Sequence, residues 1–182
     1  MAIVPITLYG DNILRQSTKP VEKVDDEVIE IIRNMFDSMR NADGIGLAGN
    51  QIGLGKSIIT IDISVVEGYE KYKPIVFMNP EILLESADTI IMEEGCLSLP
   101  SIHAEVERPK YVKMRYMDTD ENIQEIELNE LFARVALHEY DHLIGKMIPD
   151  RVSEGIKKII KKDLQKIEKR DIDVNYPVVD NK

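Results

Sequence analysis

The chain has no tryptophan, three phenylalanines and a single cysteine, Cys96, among its 182 residues. With one cysteine it can form no internal disulfide, which favours a reducing compartment. Its apolar runs are far shorter than the ~20 residues that span a bilayer. Its N-terminal segment lacks the basic region and the sustained apolar stretch of a secretory signal. These absences predict a cytoplasmic protein with no membrane association and an aliphatic core.

Positive charge is also scarce: 33 acidic residues outnumber 23 lysines and arginines, and the formal net charge is −10. This balance argues against nucleic-acid binding over the whole surface. Residues 154–170 are the exception, with seven basic and three acidic side chains. The length predicts a single domain over residues 1–182, with a basic C-terminal helix at about 153–170.

Hydrophobic spacing predicts three helices. The first follows the N-cap residue Asp25 and ends near Asn41. The second runs from Asn129 to a stop at Gly145, and the third begins at Ser153. Six β-rich runs lie between the first two helices, at 57–63, 75–78, 89–93, 103–106, 111–117 and 122–128.

The order of these elements predicts an α+β fold. We expect mixed or antiparallel sheets packed around the second helix, flanked by an N-terminal and a C-terminal helix. The glycine-rich stretch 43–55 precedes the strands and is predicted to be a loop whose backbone closely approaches a ligand.

The strongest local motif, His138-Glu139-Tyr140-Asp141-His142, lies on the second predicted helix. Histidines four residues apart share one helix face, so both imidazoles can bind the same metal ion. The glutamate beside the first histidine can then act on water at that metal. Two of the three histidines in the chain occupy this motif, which favours a metal site over a polar helix that carries histidines by chance.

A catalytic site of the zinc type needs a third protein ligand and one open position. A downstream histidine pattern fails because Ile148 occupies the ligand position. Glu168 is a weak candidate, since it lies in a lysine-crowded helix without an acidic partner at the expected spacing. Cys96 follows a glycine at the end of a predicted strand, although a lone cysteine is more often a buried apolar residue. A Cys96-His138-His142 site is therefore the preferred of two candidates.

Three segments resemble the three signature motifs of the peptide deformylase family, in the family's order and at family-like separations: residues 44–51 (GIGLAGNQ), 94–98 (EGCLS) and 138–142 (HEYDH). The N-terminal segment around Tyr9-Gly10-Asp11 is also similar, so the resemblance extends over nearly the whole chain. Gly49 and Asn50 depart from the family, which usually has alanine and often proline at these positions. Both residues are expected to loosen the loop.

The resemblance implies a hydrolase that removes the formyl group from the N-formylmethionine of nascent polypeptides. It implies that Cys96, His138 and His142 hold one divalent metal ion, Fe²⁺ in cells, with Zn²⁺, Ni²⁺ or Co²⁺ as substitutes. The ligand types alone favour zinc. Glu139 is the predicted acid–base residue. The side-chain amide of Gln51 and the backbone N–H of Leu97 are the donors to the formyl oxygen that the resemblance implies.

Five residues are predicted to bind substrate. Leu131 and Val135 share the helix face of His138 and form a methionine pocket, although core packing explains them equally well. Ile45 closes the opposite wall. Backbone groups near Ile45, Gly46 and Gly95 pair with the peptide as an added strand.

Four other features carry lesser hypotheses. Glu94 and Arg108 form a structural ion pair, Asp141 supports its helix through a polar contact, and His103 lines the mouth of the site. The basic helix is a solvated face that offsets the acidic body, or it docks to ribosomal RNA near the nascent chain.

Two competing functions stay open on sequence alone. A general metallopeptidase would share the histidine helix. A catalytically silent relative would bind only peptides or ribosomes.

Overall fold

The computed structural model describes residues 2–180. They contain three α-helices, seven β-strands and three short 3-10 helices. The helices are α1 (Asp26–Asn41), α2 (Glu130–Leu143) and α3 (Glu154–Glu168). The strands are β1 (Gly46–Ala48), β2 (Ile58–Ile61), β3 (Ile75–Glu85), β4 (Thr89–Cys96), β5 (Leu99–Pro109), β6 (Tyr111–Met117) and β7 (Ile123–Asn129). The 3-10 helices are Asn12–Arg15, Gly49–Ile52 and Ile148–Asp150.

Side-chain caps fix the beginnings of α1 and α3. The Asp25 carboxylate accepts the Val28 N–H at 3.0 Å, and the Ser153 hydroxyl accepts the Ile156 N–H at 3.4 Å. Asn129 precedes α2 in extended conformation, without a side-chain cap bond. The predicted helix boundaries are confirmed to within a residue or two.

The strands form two antiparallel sheets. One sheet has five strands in the order β1-β2-β3-β6-β7, and the other is the hairpin β4-β5. Every pairing between these strands is antiparallel, so the α+β prediction is confirmed in its antiparallel form. Among the described residues, no helix is both long and apolar enough to cross a membrane.

The described residues form two hydrophobic clusters, and the buried apolar residues of α2 belong to one of them. Residues Phe132, Ala133 and Ala136 of α2 pack against the five-stranded sheet, where Phe77 is fully buried. The other cluster joins α1, α3 and the inner face of β5. The packing of α2 on the five-stranded sheet fixes the positions of His138 and His142 relative to the strands of that sheet.

Strand β5 shows the alternation that a half-buried strand requires. Ile102, Ala104, Val106 and Arg108 are buried, whereas the residues between them are exposed. This alternation directs Arg108 into the protein and leaves His103 at the surface.

The glycine-rich stretch is not a loop throughout, and that prediction is wrong. Residues 46–48 form strand β1, which pairs with β2, and Gly49–Ile52 form a 3-10 helix. Glycine has low strand propensity, so the glycine content of this stretch favoured a loop. Residues 46–48 form a strand because they pair with β2, which begins ten residues after β1 ends.

Helix α2 ends in a Schellman motif. The Lys146 N–H bonds the Asp141 carbonyl at 2.8 Å, and the Gly145 N–H bonds the His142 carbonyl at 3.0 Å. Gly145 has φ +74°, and a Cβ there would lie 2.6 Å from the Arg15 carbonyl oxygen.

Gly145→Ala should therefore destabilise the protein by at least 1–2 kcal/mol, roughly the strain of a left-handed residue. The measurement is urea unfolding. Gly155→Ala is the matched control, since its Cβ would meet only Ser153 Oγ at 3.7 Å. Alanine at 155 should be neutral or stabilising by up to about 1 kcal/mol. Equal unfolding free energies for the two variants would contradict the role of Gly145.

Candidate active site

One sulfur and two imidazoles meet where the end of β4 contacts α2. The candidate ligand atoms of Cys96, His138 and His142 all lie within 4.8 Å of one another. Cys96 Sγ is 3.2 Å from His142 Nε2, and the centroids of the two imidazole rings are 5.1 Å apart. A thiolate and two imidazoles fit a divalent cation of tetrahedral preference and leave a fourth position open.

Of the two candidate third ligands, only Cys96 lies beside the histidines. Glu168 lies away from this cluster, where a Cβ on Gly10 would be 2.9 Å from its Cγ. Cys96 reaches the histidines because the β4-β5 register shifts between Gly95 and Cys96, a bulge that redirects the chain at the end of the hairpin.

The first histidine is oriented by a buried carboxylate. Glu94 Oε2 lies 2.9 Å from His138 Nδ1, which leaves Nε2 of the ring for the cluster. Arg108 donates two hydrogen bonds to the same carboxylate, of 2.6 and 3.0 Å, and Arg134 donates a third of 2.8 Å. Burial opposes the charge on Glu94, but the hydrogen bonds from His138 and Arg108 outweigh it and hold the pKa of this carboxyl well below its usual range.

The network continues to the other end of the motif. Arg108 also donates to Asp141 Oδ2 at 2.7 Å, and Arg151 binds both Asp141 oxygens. The predicted Glu94–Arg108 ion pair and the supporting contact of Asp141 are thus confirmed. The Arg108 guanidinium thus joins Glu94, which contacts the first histidine of the motif, to Asp141, which precedes the second.

Glu139 faces the cavity beside the cluster. It is 4% exposed, and its Oε2 has no hydrogen-bond partner among the described residues. Burial raises the pKa of this carboxyl to about 7, the range in which a group accepts and releases protons at neutral pH. Gly46 makes room for it, because a Cβ at that position would collide with Glu139 Oε1 and lie 2.7 Å from Val135 Cγ1.

Gln51 is fixed in one orientation. Its Oε1 accepts the Ala48 N–H at 2.8 Å, so its amide nitrogen must face the other way. That nitrogen lies 3.6 Å from Cys96 Sγ and 3.2 Å from Ser98 Oγ. The amide N–H groups of Gln51 therefore point towards the Cys96-His138-His142 cluster.

Gly49 and Asn50 do not loosen the loop, contrary to expectation. A Cβ at Gly49 would lie 2.5 Å from the Lys56 carbonyl oxygen, so only glycine allows this approach. Asn50 is fully buried and donates from Nδ2 to the His142 carbonyl at 2.6 Å. Asn50 thus ties the loop of Gln51 to the helix that carries the histidines, and Gly49 lets the same loop lie against Lys56.

A cavity of about 660 Å³ opens in front of the cluster. Its lining includes Leu97 and all five residues predicted to bind substrate: Ile45, Gly46, Gly95, Leu131 and Val135. His103 is exposed at its mouth. Val135 also belongs to the hydrophobic cluster of the five-stranded sheet, so it lines the cavity and packs in the core at once.

Sequence reasoning missed three residues around this site. Arg134 is buried with Glu94, Asn50 bonds the histidine helix, and Tyr176 lines the cavity. Arginine between apolar helix residues was a usable signal for Arg134. The sequence held no comparable signal for the contacts of Asn50 and Tyr176, which join distant segments.

The arrangement is typical of metal-dependent hydrolases with an HExxH helix, and here a cysteine from a β-hairpin is the third candidate ligand. A buried glutamate stands beside the cluster, and a glutamine amide points at it.

Comparisons with known proteins place the chain within that class. The family model described as polypeptide deformylase matches residues 3–158. The peptide deformylase of Chlorobium phaeobacteroides (strain BS1) is 42% identical over 179 residues, covering 97% of this chain and 95% of the relative. That of Prosthecochloris aestuarii is 42% identical over 178 residues, covering 98% and 95%.

Solved structures agree with this match. A plant peptide deformylase has TM-score 0.87 and 36% identity, covering 93% of this chain and 91% of that one. The Thermotoga maritima peptide deformylase has TM-score 0.78 and 38% identity, covering 84% of this chain and 99% of that one. The chain belongs to the peptide deformylase family, whose members are metal-dependent hydrolases that remove the formyl group from N-formylmethionine.

Glu94→Gln should damage both stability and metal retention, because it removes the carboxylate that pairs with buried Arg134 and one of the two carboxylates that pair with buried Arg108. We expect a loss of about 3 kcal/mol in unfolding free energy and a metal affinity roughly 10–100-fold weaker. Urea unfolding and chelator competition measure the two effects.

Glu125→Gln is the control, since its pairs with Lys113 and Arg115 are largely exposed and should contribute under ~1 kcal/mol. If the two variants retain metal equally well, Glu94 does not orient His138 in the proposed way.

Proposed function

We propose that the whole chain acts as one catalytic domain that deformylates the N-terminal methionine of nascent polypeptides, with one divalent metal ion held by Cys96, His138 and His142. The observation that carries this proposal is the convergence of these three side chains within 4.8 Å. They come from a hairpin end and a helix that are distant in sequence, and Cys96 and His138 line the same cavity as Glu139.

A divalent cation bound there supplies Lewis-acid polarisation and a water that is nucleophilic near neutral pH. Glu139 takes a proton from the attacking water as its oxygen adds to the formyl carbon. The same carboxyl then delivers that proton to the methionine nitrogen as the carbon–nitrogen bond breaks. The products are formate and a free α-amine. A pKa of about 7 for Glu139 suits both transfers.

Negative charge on the formyl oxygen requires fixed donors. Gln51 supplies side-chain N–H groups whose direction is set by the 2.8 Å bond from Ala48 to its Oε1. The backbone N–H of Leu97, next to Cys96, is the second proposed donor. Donors that are already oriented stabilise the transition state without reorganisation, and losing one costs about 10²–10³ in rate.

The substrate peptide fits between two strand edges. Strand β1 is the edge of the five-stranded sheet, and β4 is an edge of the hairpin. Gly46 on β1 and Gly95 on β4 both line the cavity. A peptide docked as an added strand is recognised through its main chain, so residues beyond methionine contribute little selectivity. Ile45, Leu131 and Val135 then surround the unbranched methionine side chain.

For the metal we propose Fe²⁺ in cells, with Zn²⁺, Ni²⁺ or Co²⁺ as substitutes. A thiolate ligand beside ferrous iron makes the site sensitive to oxidation at Cys96. A single cysteine also suits the reducing cytoplasm, which is the compartment we propose.

Helix α3 supports a further part of the proposal, contact with ribosomal RNA. Its inner face buries Ile160, Leu164 and Ile167. Lys158, Lys161 and Lys162 are exposed on the outside, and such a face attracts phosphates. The alternative, a face that is only solvated, predicts that these lysines make no difference to ribosome binding.

The competing functions differ in assay. A general metallopeptidase would cleave internal bonds of unformylated peptides and tolerate loss of Cys96. A silent relative would bind formyl peptides and release no formate, with or without metal.

Glu139→Gln should lower kcat for formate release by about 10²–10⁴, while metal content stays unchanged because Glu139 is not among the ligands. The measurement is formate release from formyl-Met peptides under anaerobic conditions, with metal analysis of the same sample. Glu130→Gln, an exposed change in the first turn of the same helix, is the control. Full activity of the metal-loaded Glu139→Gln variant would refute the role of Glu139.

The triple variant Lys158→Glu, Lys161→Glu and Lys162→Glu should abolish salt-sensitive co-sedimentation with ribosomes while formate release from a short peptide persists. Lys71→Glu, Lys73→Glu and Lys110→Glu apply the same charge change at exposed positions elsewhere. Equal binding of both triple variants would show that α3 is only a solvated face. Charge reversal is preferable to truncation, because residues after α3 line the cavity.

A further inference from the structure

After α3 the chain turns back across the molecule, and residues 171–179 form what we call the C-terminal strap. Its far end pairs with the N-terminal segment: the Ile6 N–H bonds the Pro177 carbonyl and the Val179 N–H bonds the Ile6 carbonyl, both at 2.9 Å. The two segments run parallel at the Ile6–Val178 bridge.

Arg170 anchors the near end of the strap. Its guanidinium bonds Asp11 Oδ1 at 2.7 Å, the Tyr9 carbonyl at 3.2 Å and the Val179 carbonyl at 3.1 Å. Both ends of the strap are therefore tied to the N-terminal segment, and its path between them is determined.

That path runs along the substrate cavity. Four consecutive strap residues line the same cavity as Cys96 and Glu139: Asp173, Val174, Asn175 and Tyr176. The family model ends at residue 158. The T. maritima structure is covered over 99% of its length while matching 84% of this chain. The strap thus adds a wall beyond the part of the chain that the family model describes.

Tyr176 makes the most specific contact of the strap. Its hydroxyl donates to the Leu97 carbonyl at 2.8 Å, and its ring packs against the hydrophobic cluster that joins α1, α3 and β5. Burial raises the pKa of the phenol to about 12, so the hydroxyl remains a donor at neutral pH.

The Leu97 peptide is held from several sides. The Ser98 carbonyl accepts the Tyr9 N–H at 2.9 Å, and Gln51 reaches Ser98 Oγ at 3.2 Å. A Cβ on Gly44 would lie 2.8 Å from Leu97 Cδ1. The Leu97 carbonyl and N–H lie in neighbouring peptide units that are joined at the Leu97 Cα, so a bond that fixes the carbonyl limits the backbone rotations by which the N–H could change direction.

We propose that Tyr176 is a positioning residue for deformylation, which aligns the Leu97 N–H with the formyl oxygen through its bond to the Leu97 carbonyl. The proposal rests on the proposed function in one respect, the use of the Leu97 N–H as an oxyanion donor. The strap thereby becomes part of the active site and not a trailing segment.

The test is Tyr176→Phe in the full-length, metal-loaded enzyme. Removing one positioned hydroxyl should lower kcat for formyl-Met-Ala by about tenfold, the size of a single hydrogen bond, with KM and metal content unchanged. Hydrogen exchange at the Leu97 amide should also become faster. Tyr116→Phe is the control, since that half-buried ring packs on Phe77 in the other core cluster; it should leave kcat and the exchange rate at Leu97 unchanged.

The kinetic and stability measurements distinguish a positioning role of Tyr176 from a pocket or structural role. A raised KM at unchanged kcat would make Tyr176 only a pocket wall and overturn the proposal. A lowered thermal midpoint at unchanged kcat would make it a structural residue and overturn it equally. If the unaltered enzyme releases no formate, the proposed function fails first, whereas an active enzyme with an equally active Tyr176→Phe variant rejects only the role of Tyr176.

Discussion

The site depends on one buried carboxylate. Glu94 receives Arg108 from β5, and Arg134 and His138 from α2, through bonds between 2.6 and 3.0 Å. A buried charge is tolerated only when it is paired and hydrogen-bonded, so the hairpin and the helix must adopt one relative position. Cys96 lies two residues beyond Glu94 on the same strand. The geometry that satisfies the carboxylate therefore also places the thiol beside the imidazoles.

Close backbone approach is the second constraint. Gly46 lets β1 pass against Glu139, and Gly49 lets the Gln51 loop lie on the Lys56 carbonyl. The result is a crowded site in which Glu139 keeps a buried oxygen without a partner among the described residues. A buried carboxyl of this kind lowers stability and is typical of positions kept for chemistry.

The two ends of the described chain meet beside the candidate active site. Arg170 holds Asp11 and the Tyr9 carbonyl, Tyr9 donates to Ser98, and Tyr176 donates to the carbonyl of Leu97. The turn between β4 and β5 is thus supported by residues from both termini. Segments far from the signature motifs fix the turn that those motifs use.

The sequence by itself determined the helices, the α+β order and the family, because caps such as Asp25, helical spacing and the HExxH motif are encoded within a few adjacent residues. It favoured Cys96 over Glu168 as the third metal ligand, and it predicted a loop at the residues that form β1. Only the tertiary structure placed Cys96 beside the histidines and brought Asn50, Arg134 and Tyr176 to the site. These contacts join residues tens of positions apart, and core packing and strand register decide them, which no local pattern records.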